Sequence, residues 1–308
     1  MLYYVVTLVD MQELKPLLAA MDKRLLVAAF SVHLAAFFIM SIRWWLILIS
    51  IDKPVKYNRI FPSYYLGLFC NNFLPTAMGG DVVRIAKLRA EGINTNLLIF
   101  STLSDRIIGL LAIIIMGIIG MNTSLAVQET LTSESLITIN IISSIIFVVL
   151  LLAMNSKLRN SIFEMSVKKW ALPTKIKNLF AYCHNNLDSL KNNSLVPKVI
   201  LLSLISQILI IICYYLIGKS LHVDLPLMEY ILLVPIVALL SSIPVSVGGL
   251  GVREGAIIFL LGTVGVSTPN AVSISLLYLT VLILVTIPGS IFFIVGKRAI
   301  ENTVPQTQ

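Results

Sequence analysis

The chain has 308 residues, of which 57% are hydrophobic and only 12% are charged. Soluble domains carry about 25% charged residues, so this composition excludes a soluble globular protein and indicates an integral membrane protein. The net charge of +8 does not indicate a nucleic-acid partner, because eight of the 23 basic residues are concentrated in segment 155–198. That concentration is typical of a cytoplasmic loop that also attracts anionic lipid.

The N-terminal segment, MLYYVVTLVDMQELKPLLAAMDKR, lacks the early basic region and the small-residue cleavage site of a signal peptide. Its first nine residues are apolar and resemble the end of a hydrophobic segment whose start is missing. Two explanations stay open at this point, a late start codon and a genuinely short N-terminus.

Six charge-poor runs are near or above the roughly 18 residues that indicate a spanning helix. They cover residues 25–42, 107–121, 136–154, 199–218, 230–247 and 271–296. Backbone groups in lipid must be paired within the segment, and alternating barrel strands are absent, so the spans are expected to be helices. We predict an all-α polytopic membrane protein, a single domain over residues 1–308, with about six to eight membrane helices.

An interruption breaks the first aromatic and apolar stretch, residues 57–80, within the sequence LPTAMGGDVVR at 74–84. Pro75 ends or kinks a helix, because proline lacks a backbone donor. The Gly79-Gly80 pair allows positive φ and close approach of a second backbone or a ligand. This combination predicts a re-entrant or broken helix, which is tolerated at membrane depth only when it is buried in protein or lines a cavity.

Two interpretations of the charged residues after the glycines stay open. A helix that starts there presents free N–H groups and a partial positive charge, to which Arg84 adds bidentate donors suited to phosphate. Alternatively, Asp81 is only an N-cap and Arg84 only extends to the membrane interface. Residues 84–91 are expected to form a short cytoplasmic interfacial helix with Arg84, Lys87 and Glu91 on one side.

Polar residues in three neighbouring segments have alternative roles. Arg43 precedes two tryptophans and is expected in the aromatic belt at the membrane interface. Asn71 and Asn72 are expected to bond freed backbone groups, with ligand contact as the alternative. Asp105 and Arg106 are sequence neighbours that point to different helix faces, so they do not simply pair with each other. Either each reaches the interrupted segments, or Arg106 anchors at the interface.

The basic residues of the loops predict on which side of the membrane each loop lies. Loop 122–135 has no basic residue and is expected outside, whereas 155–198 and the tail 299–308 are expected in the cytoplasm. No metal site or disulfide frame is predicted, because the cysteines and histidines are scattered. These residues are Cys70, Cys183, Cys213, His33, His184 and His222.

The first interruption is repeated at an offset of 169 residues, where residues 243–253 read IPVSVGGLGVR. Both sequences contain the pattern P-x3-G-G-x-x-V-R. Paired interrupted segments in two halves of a chain are the best sequence indication of a transporter's binding site. Arg253 and Glu254 lie in the apolar stretch 230–267, where each charge costs roughly 2.5–3.5 kcal/mol on insertion. Each is therefore expected to find a partner in the other half of the chain or in a ligand.

We predict that both interruptions dip into the membrane around a shared anion site for a lipid headgroup. Its binding residues are expected to be Arg84, Arg253, Gly79, Gly80, Gly248 and Gly249. Supporting polar residues are Asn71, Asn72, Asp81, Asp105, Arg106, Ser246 and Glu254, and the helix breaks are at Pro75 and Pro244.

Four stretches resemble the flippase-like membrane family, also called the lysylphosphatidylglycerol synthase transmembrane region. They are RWWLIL at 43–48, NNFLPTAMGGDVVR at 71–84, STLSDRIIGLLA at 101–112 and PVSVGGLGVREG at 244–255. The resemblance implies a polytopic helical domain that handles lipids with charged headgroups or polyprenyl-linked glycans. Multidomain relatives flip aminoacylated phosphatidylglycerol made by a fused cytosolic synthase, which is absent here, so that synthase chemistry is not carried over.

The expected function is a flippase-like transporter of a phosphate-headgroup lipid (a phospholipid, an aminoacylated phospholipid or a polyprenyl-linked glycolipid) in the plasma membrane. No nucleotide-binding motif is present and no cofactor is expected. The alternative is a non-transporting subunit or scaffold for a separate lipid-modifying synthase or glycosyltransferase. A membrane enzyme is not expected, because no histidine or carboxylate pair has a plausible acid–base spacing.

Overall fold

The structure, a computed structural model, describes residues 11–51, 55–74, 78–124, 195–242 and 251–293, with a few isolated positions between 141 and 182. These residues form nine α-helices and no strand, which confirms the predicted all-α membrane fold. The helices are α1 (Met11–Ala20), α2 (Lys23–Ile51), α3 (Tyr57–Asn71), α4 (Gly79–Ala90), α5 (Thr95–Thr123), α6 (Val196–Ser220), α7 (Leu227–Ser242), α8 (Val252–Thr263) and α9 (Thr268–Thr286).

Four of these helices are long and apolar enough to cross a membrane, namely α2, α5, α6 and α9, whose helical run continues to Phe293. At 1.5 Å per residue, α2 is about 43 Å long, which exceeds the roughly 30 Å hydrocarbon core. The predicted run 230–247 forms the shorter apolar helix α7, which ends at Ser242. The predicted run 136–154 lies outside the well-described residues apart from isolated positions.

Both predicted interruptions coincide with helix ends. Helix α3 ends at Asn71 and α4 begins at Gly79, while α7 ends at Ser242 and α8 begins at Val252. Each interruption therefore lies between two short helices that pack against each other. We call α3–α4 the first hairpin and α7–α8 the second hairpin.

The internal repeat is longer than the two sequence motifs. Helices α2 to α5 contain 29, 15, 12 and 29 residues, and α6 to α9 contain 25, 16, 12 and 19 in the same order. Contacts between helices in the first set have counterparts in the second set. Each half of the described chain is therefore a long helix, a hairpin and a second long helix.

The first long helices of the two halves run in opposite directions. The Asp22 N–H, just before α2, donates to the Ser220 carbonyl at the end of α6 over 2.8 Å. Near the other end of the pair, Arg43 Nη1 donates to Ser203 Oγ over 3.2 Å. Helices α2 and α6 are therefore antiparallel, which is the relation expected for inverted-topology repeats.

Two glycines at the repeat offset of 169 residues, Gly120 and Gly289, join the halves. A Cβ on Gly120 in α5 would lie 2.5 Å from Leu232 Cα in α7. A Cβ on Gly289 would lie 2.6 Å from Phe69 Cβ in α3, and it would also contact the Tyr65 carbonyl oxygen. Only glycine permits such close approach. Each second long helix therefore packs on the hairpin of the other half.

Candidate functional site

Five charged side chains form one connected network between α2, α4 and α5. Arg43 Nε donates to Asp105 Oδ1 over 2.7 Å, and Arg84 Nη2 lies 2.9 Å from Asp81 Oδ1 and 3.6 Å from Asp105 Oδ2. Arg106 Nη2 completes the network 2.7 Å from Asp81 Oδ2. Asp105 and Arg106 thus have different partners, as their neighbouring positions predicted, and each reaches α4 of the first hairpin.

Arg43 lies in the interior of the protein and not in the predicted aromatic belt at the membrane interface. Its side chain is only 4% exposed and is paired with Asp105, so the belt prediction is wrong for this residue. A charge inside an apolar helix is costly unless it is paired and hydrogen-bonded, and Asp105 and Ser203 provide that compensation. The arginine therefore belongs to the interior network rather than to the membrane surface.

Aromatic rings hold the Arg84 guanidinium. Its Cζ atom lies 4.2 Å from the Trp44 ring centroid and 5.1 Å from that of Tyr64. Cation–π contacts of this kind stabilise a desolvated guanidinium by about 2 kcal/mol. Arg84 is buried, so both predictions that placed it at the membrane interface are wrong. On the same side of the predicted helix, Lys87 is half-buried and Glu91 is exposed.

The start of α4 decides the role of Asp81. The helix begins at Gly79 with Met78 as N-cap, so Asp81 lies inside the first turn and the N-cap alternative is wrong. A carboxylate in the first turn interacts favourably with the helix dipole. Asp81 instead bridges Arg84 and Arg106.

The first glycine pair permits close packing within the first hairpin. A Cβ on Gly80 would contact the Gly67 carbonyl oxygen, and one on Gly79 would lie 2.5 Å from Leu74 Cβ. Neither glycine has positive φ. The Gly80 N–H donates to Asn71 Oδ1 over 3.3 Å. These glycines therefore bring α4 against α3, and through this packing they position Asp81 and Arg84.

The two asparagines have structural partners, as expected. Asn71 accepts the Gly80 N–H, and Asn72 Nδ2 donates to Thr286 Oγ1 over 2.7 Å. The second bond joins the end of α3 to α9 of the other half. Asn71 also lines the cavity described next, so its alternative role in ligand contact is compatible with the geometry.

A cavity of about 300 Å³ opens beside the charged network. Its walls are formed by α2, α3, α4 and α5 of the first half and by α6 and α7 of the second half. Three guanidinium groups and two carboxylates line it, which gives its described walls a net charge of +1. The lining residues include Met40, Arg43, Tyr64, Gly67, Asn71, Gly80, Asp81, Arg84, Asp105, Arg106, Gly109, Gln207, Ala238, Ser241 and Ser242.

Two buried polar atoms at this cavity have no hydrogen-bond partner among the described residues. They are Arg84 Nε, a donor, and Gln207 Oε1, an acceptor. Their residues are only 4% and 7% exposed. Most buried polar atoms in proteins are hydrogen-bonded, and leaving one unsatisfied costs about 1–3 kcal/mol. A polar ligand in the cavity would remove this cost once a side-chain rotation turns each buried atom toward it.

The second motif has a different environment. Arg253 Nη2 pairs with Glu254 Oε1 over 2.6 Å, and its guanidinium lies 5.4 Å from the Tyr278 ring centroid. Glu254 Oε2 accepts the N–H of Gly251, which has positive φ at the start of α8. Arg253 and Glu254 therefore pair with each other, contrary to the expectation of partners in the other half or a ligand.

The structure does not bring all predicted site residues together. Arg253 and Glu254 are not among the residues that line the cavity at Arg84. Five further predicted residues lie outside the described residues: Pro75, Pro244, Ser246, Gly248 and Gly249. The cavity at the first hairpin is therefore the candidate site that the described residues form.

The comparison with known families agrees with these features. The family model for the lysylphosphatidylglycerol synthase TM region matches residues 1–289. The chain belongs to this family. Membership indicates a membrane protein linked to lipid handling, and the four long apolar helices make it a multi-pass protein. A search of curated proteins found no match to the chain.

In this member of the lysylphosphatidylglycerol synthase TM region family, two residues of the candidate site were not predicted as site residues. They are Arg43 and Gln207. Arg43 carried a usable signal, since no other charged residue follows Arg24 in a helix that continues to Ile51. Gln207 is the single amide in the apolar run 199–218, and a polar side chain in such a run indicates a partner or a cavity. The packing of α2 and α6 brings both to the same cavity.

Proposed function

We propose that the protein binds a membrane lipid through its phosphate headgroup in the cavity at the first hairpin and translocates it across the plasma membrane. The observation that carries the proposal is buried Arg84, whose Nε lacks a partner among the described residues in a cavity of net charge +1. A guanidinium suits phosphate because its donors match two oxygens at once.

The fold supports movement as well as binding. The cavity lies between helices of both halves, and these halves are antiparallel repeats. In transporters of this design, one half rocks against the other around a fixed site near the bilayer midplane. The headgroup would change its exposure in this way while its acyl chains stay in lipid.

The proposal includes no covalent step. Asp81 and Asp105 are each paired with two arginines, so neither has the freedom or the environment of a general base. We also propose that the basic segment 155–198 faces anionic lipid in the cytoplasmic leaflet, because its eight basic residues suit that surface.

Reconstitution in liposomes tests the proposal. Liposomes with fluorescent short-chain phospholipids are treated with an impermeant quencher, and the rate of headgroup translocation is followed. We expect Arg84→Gln to abolish the protein-dependent rate. Arg89→Gln is the matched control, because Arg89 lies on the same helix but is exposed and does not line the cavity.

Equal rates for wild type and Arg84→Gln would exclude translocation through this cavity. If neither the wild type nor the variant translocates lipid, and a synthase or glycosyltransferase co-purifies with the protein, the alternative function as a non-transporting subunit is favoured instead.

A further inference from the structure

The two sides of the cavity differ in chemistry. The charged network lies on α2, α4 and α5, whereas Gln207, Ser241 and Ser242 lie on α6 and α7. The hydroxyl hydrogens of both serines are used, since Ser241 donates to the Val237 carbonyl and Ser242 to the Leu239 carbonyl, each over 2.6 Å. Their oxygens and Gln207 Oε1 therefore remain as uncharged acceptors opposite the arginines.

The carboxylates of the cavity are already occupied. Asp81 lies within 2.9 Å of both Arg84 and Arg106, and Asp105 lies 2.7 Å from Arg43 and 3.6 Å from Arg84. A ligand ammonium would have to compete with two guanidinium groups at each carboxylate. The described walls thus provide no available anion for a cationic headgroup.

The charge of the cavity selects among lipids. A single phosphodiester carries one negative charge and balances the net +1 of the described walls. A zwitterionic headgroup would leave +1, and a headgroup with two ammonium groups would leave +2 at a buried site. Buried charge without compensation is strongly unfavourable, so the anionic headgroup is preferred.

From these observations, and resting on the proposed function, we propose that the site selects lipids with one phosphodiester and an uncharged headgroup that donates hydroxyl hydrogen bonds. The phosphodiester contacts Arg84, and a headgroup hydroxyl donates to Gln207 Oε1 once the amide turns this buried oxygen toward the cavity. Aminoacylated and ethanolamine lipids are excluded. The volume of about 300 Å³ is at the lower limit of small-molecule sites, which suits a glycerol or a single sugar.

Binding of defined lipids to the full-length protein in nanodiscs of phosphatidylcholine tests this selectivity. The probes are phosphatidylglycerol, a polyprenyl-phosphate monosaccharide, phosphatidylethanolamine and lysylphosphatidylglycerol, measured by competition against a fluorescent phosphatidylglycerol. We expect one of the first two to bind about tenfold or more tighter than either of the last two. The tighter of the first two probes identifies the source of the phosphodiester.

Two substitutions at Gln207 sharpen the test. Gln207→Leu removes the acceptor, so the affinity for the preferred lipid should fall to the affinity for phosphatidylethanolamine. Gln207→Glu lowers the wall charge to zero, so phosphatidylethanolamine should gain affinity and phosphatidylglycerol should lose it. Ser206→Ala is the control, because Ser206 is buried on the same helix but does not line the cavity.

The outcomes separate this inference from the proposed function. If Arg84→Gln leaves the binding of all four lipids unchanged, both fail. If binding depends on Arg84 but wild type prefers lysylphosphatidylglycerol or phosphatidylethanolamine, the selectivity is overturned while the headgroup site stands. The ranking of the four probes by wild-type protein decides this even if a Gln207 variant does not fold.

Discussion

The two hairpins have the same helical plan but different electrostatics. Arg84 and Arg253 are related by the repeat offset of 169 residues, and both are packed against aromatic rings. Arg84 belongs to a network of three arginines and two aspartates that lines a cavity. Arg253 instead pairs with its neighbour Glu254, so the charge of this arginine is balanced locally.

The difference originates in the long helices beside each hairpin. At the same offset, Arg43 and Asp105 of the first half correspond to Ile212 and Ile274 of the second half. The two halves therefore share backbone packing, including Gly120 and its counterpart at the same offset, but only the first half carries the polar partners. We infer that the backbone shape is a property of the repeat and that the charged part of the site is a property of the first half.

The largest effect is expected for Asp105→Ala, which removes the carboxylate shared by Arg43 and Arg84. Breaking a buried ion pair by removing one partner destabilises a protein by about 3–5 kcal/mol, because the remaining charge is uncompensated. Thermal unfolding in detergent measures the loss.

The control is a double variant in which both Arg43 and Asp105 are replaced. Arg43→Leu with Asp105→Leu removes one charge of each sign, so it should recover part of the lost stability. A melting temperature of Asp105→Ala equal to that of wild type would contradict the network as a structural unit.

The next effect concerns binding and compares the two equivalent arginines directly. Arg84→Gln should weaken headgroup binding about ten- to hundredfold, the equivalent of about 1.5–3 kcal/mol for charged hydrogen bonds. Arg253→Gln should leave binding within about twofold, because Arg253 does not line the cavity. Lipid competition in nanodiscs measures both, and equal losses would show that both arginines contribute to one site.

A smaller effect is expected where only packing changes. In Gly80→Ala the new methyl group meets the Gly67 carbonyl oxygen, and such overpacking costs about 1–3 kcal/mol. Gly255→Ala in the second hairpin is the matched control, because a Cβ there has no neighbour within 4 Å. Alanine also favours the helical state over glycine, so this control should be neutral or stabilising. A similar loss for both variants would contradict the close contact of α3 and α4.

The sequence was sufficient for the helices and for their interruptions. Long apolar runs need helices to pair their backbone groups in lipid, so α2, α5, α6 and α9 were predictable. Proline and paired glycines are local signals, and both breaks fall where these residues occur.

The contacts of the charged residues were not predictable in the same way. Whether Arg43 lies at an interface or inside depends on Asp105, which is 62 residues away. The pairing of Arg253 with Glu254 depends on the position of the Glu254 side chain, which folds back over the start of α8. There it accepts the N–H of Gly251, a residue with positive φ. Such features follow from tertiary packing and cap geometry rather than from residue type.

The smallest effect on headgroup binding is expected for Glu254→Gln, which tests whether Arg253 and Glu254 form a local structural pair. Glutamine keeps the shape and an oxygen that can still accept the Gly251 N–H, so the start of α8 should be retained. The change also removes the carboxylate that pairs with the largely buried Arg253, so it should destabilise the protein by up to about 3–5 kcal/mol. Thermal unfolding measures this cost, and lipid competition should show unchanged headgroup affinity.

The comparison with Asp105→Asn makes that result decisive. Both substitutions remove one carboxylate charge with almost no change of shape, one in each half. In the first half the change leaves three arginines with one carboxylate, whereas in the second half it affects a single arginine beside Tyr278. Stability and binding should therefore both fall for Asp105→Asn, whereas only stability should fall for Glu254→Gln. If Glu254→Gln instead lowers lipid affinity as much as Asp105→Asn, the pair of Arg253 and Glu254 takes part in headgroup binding and the proposed electrostatic asymmetry of the two halves is wrong.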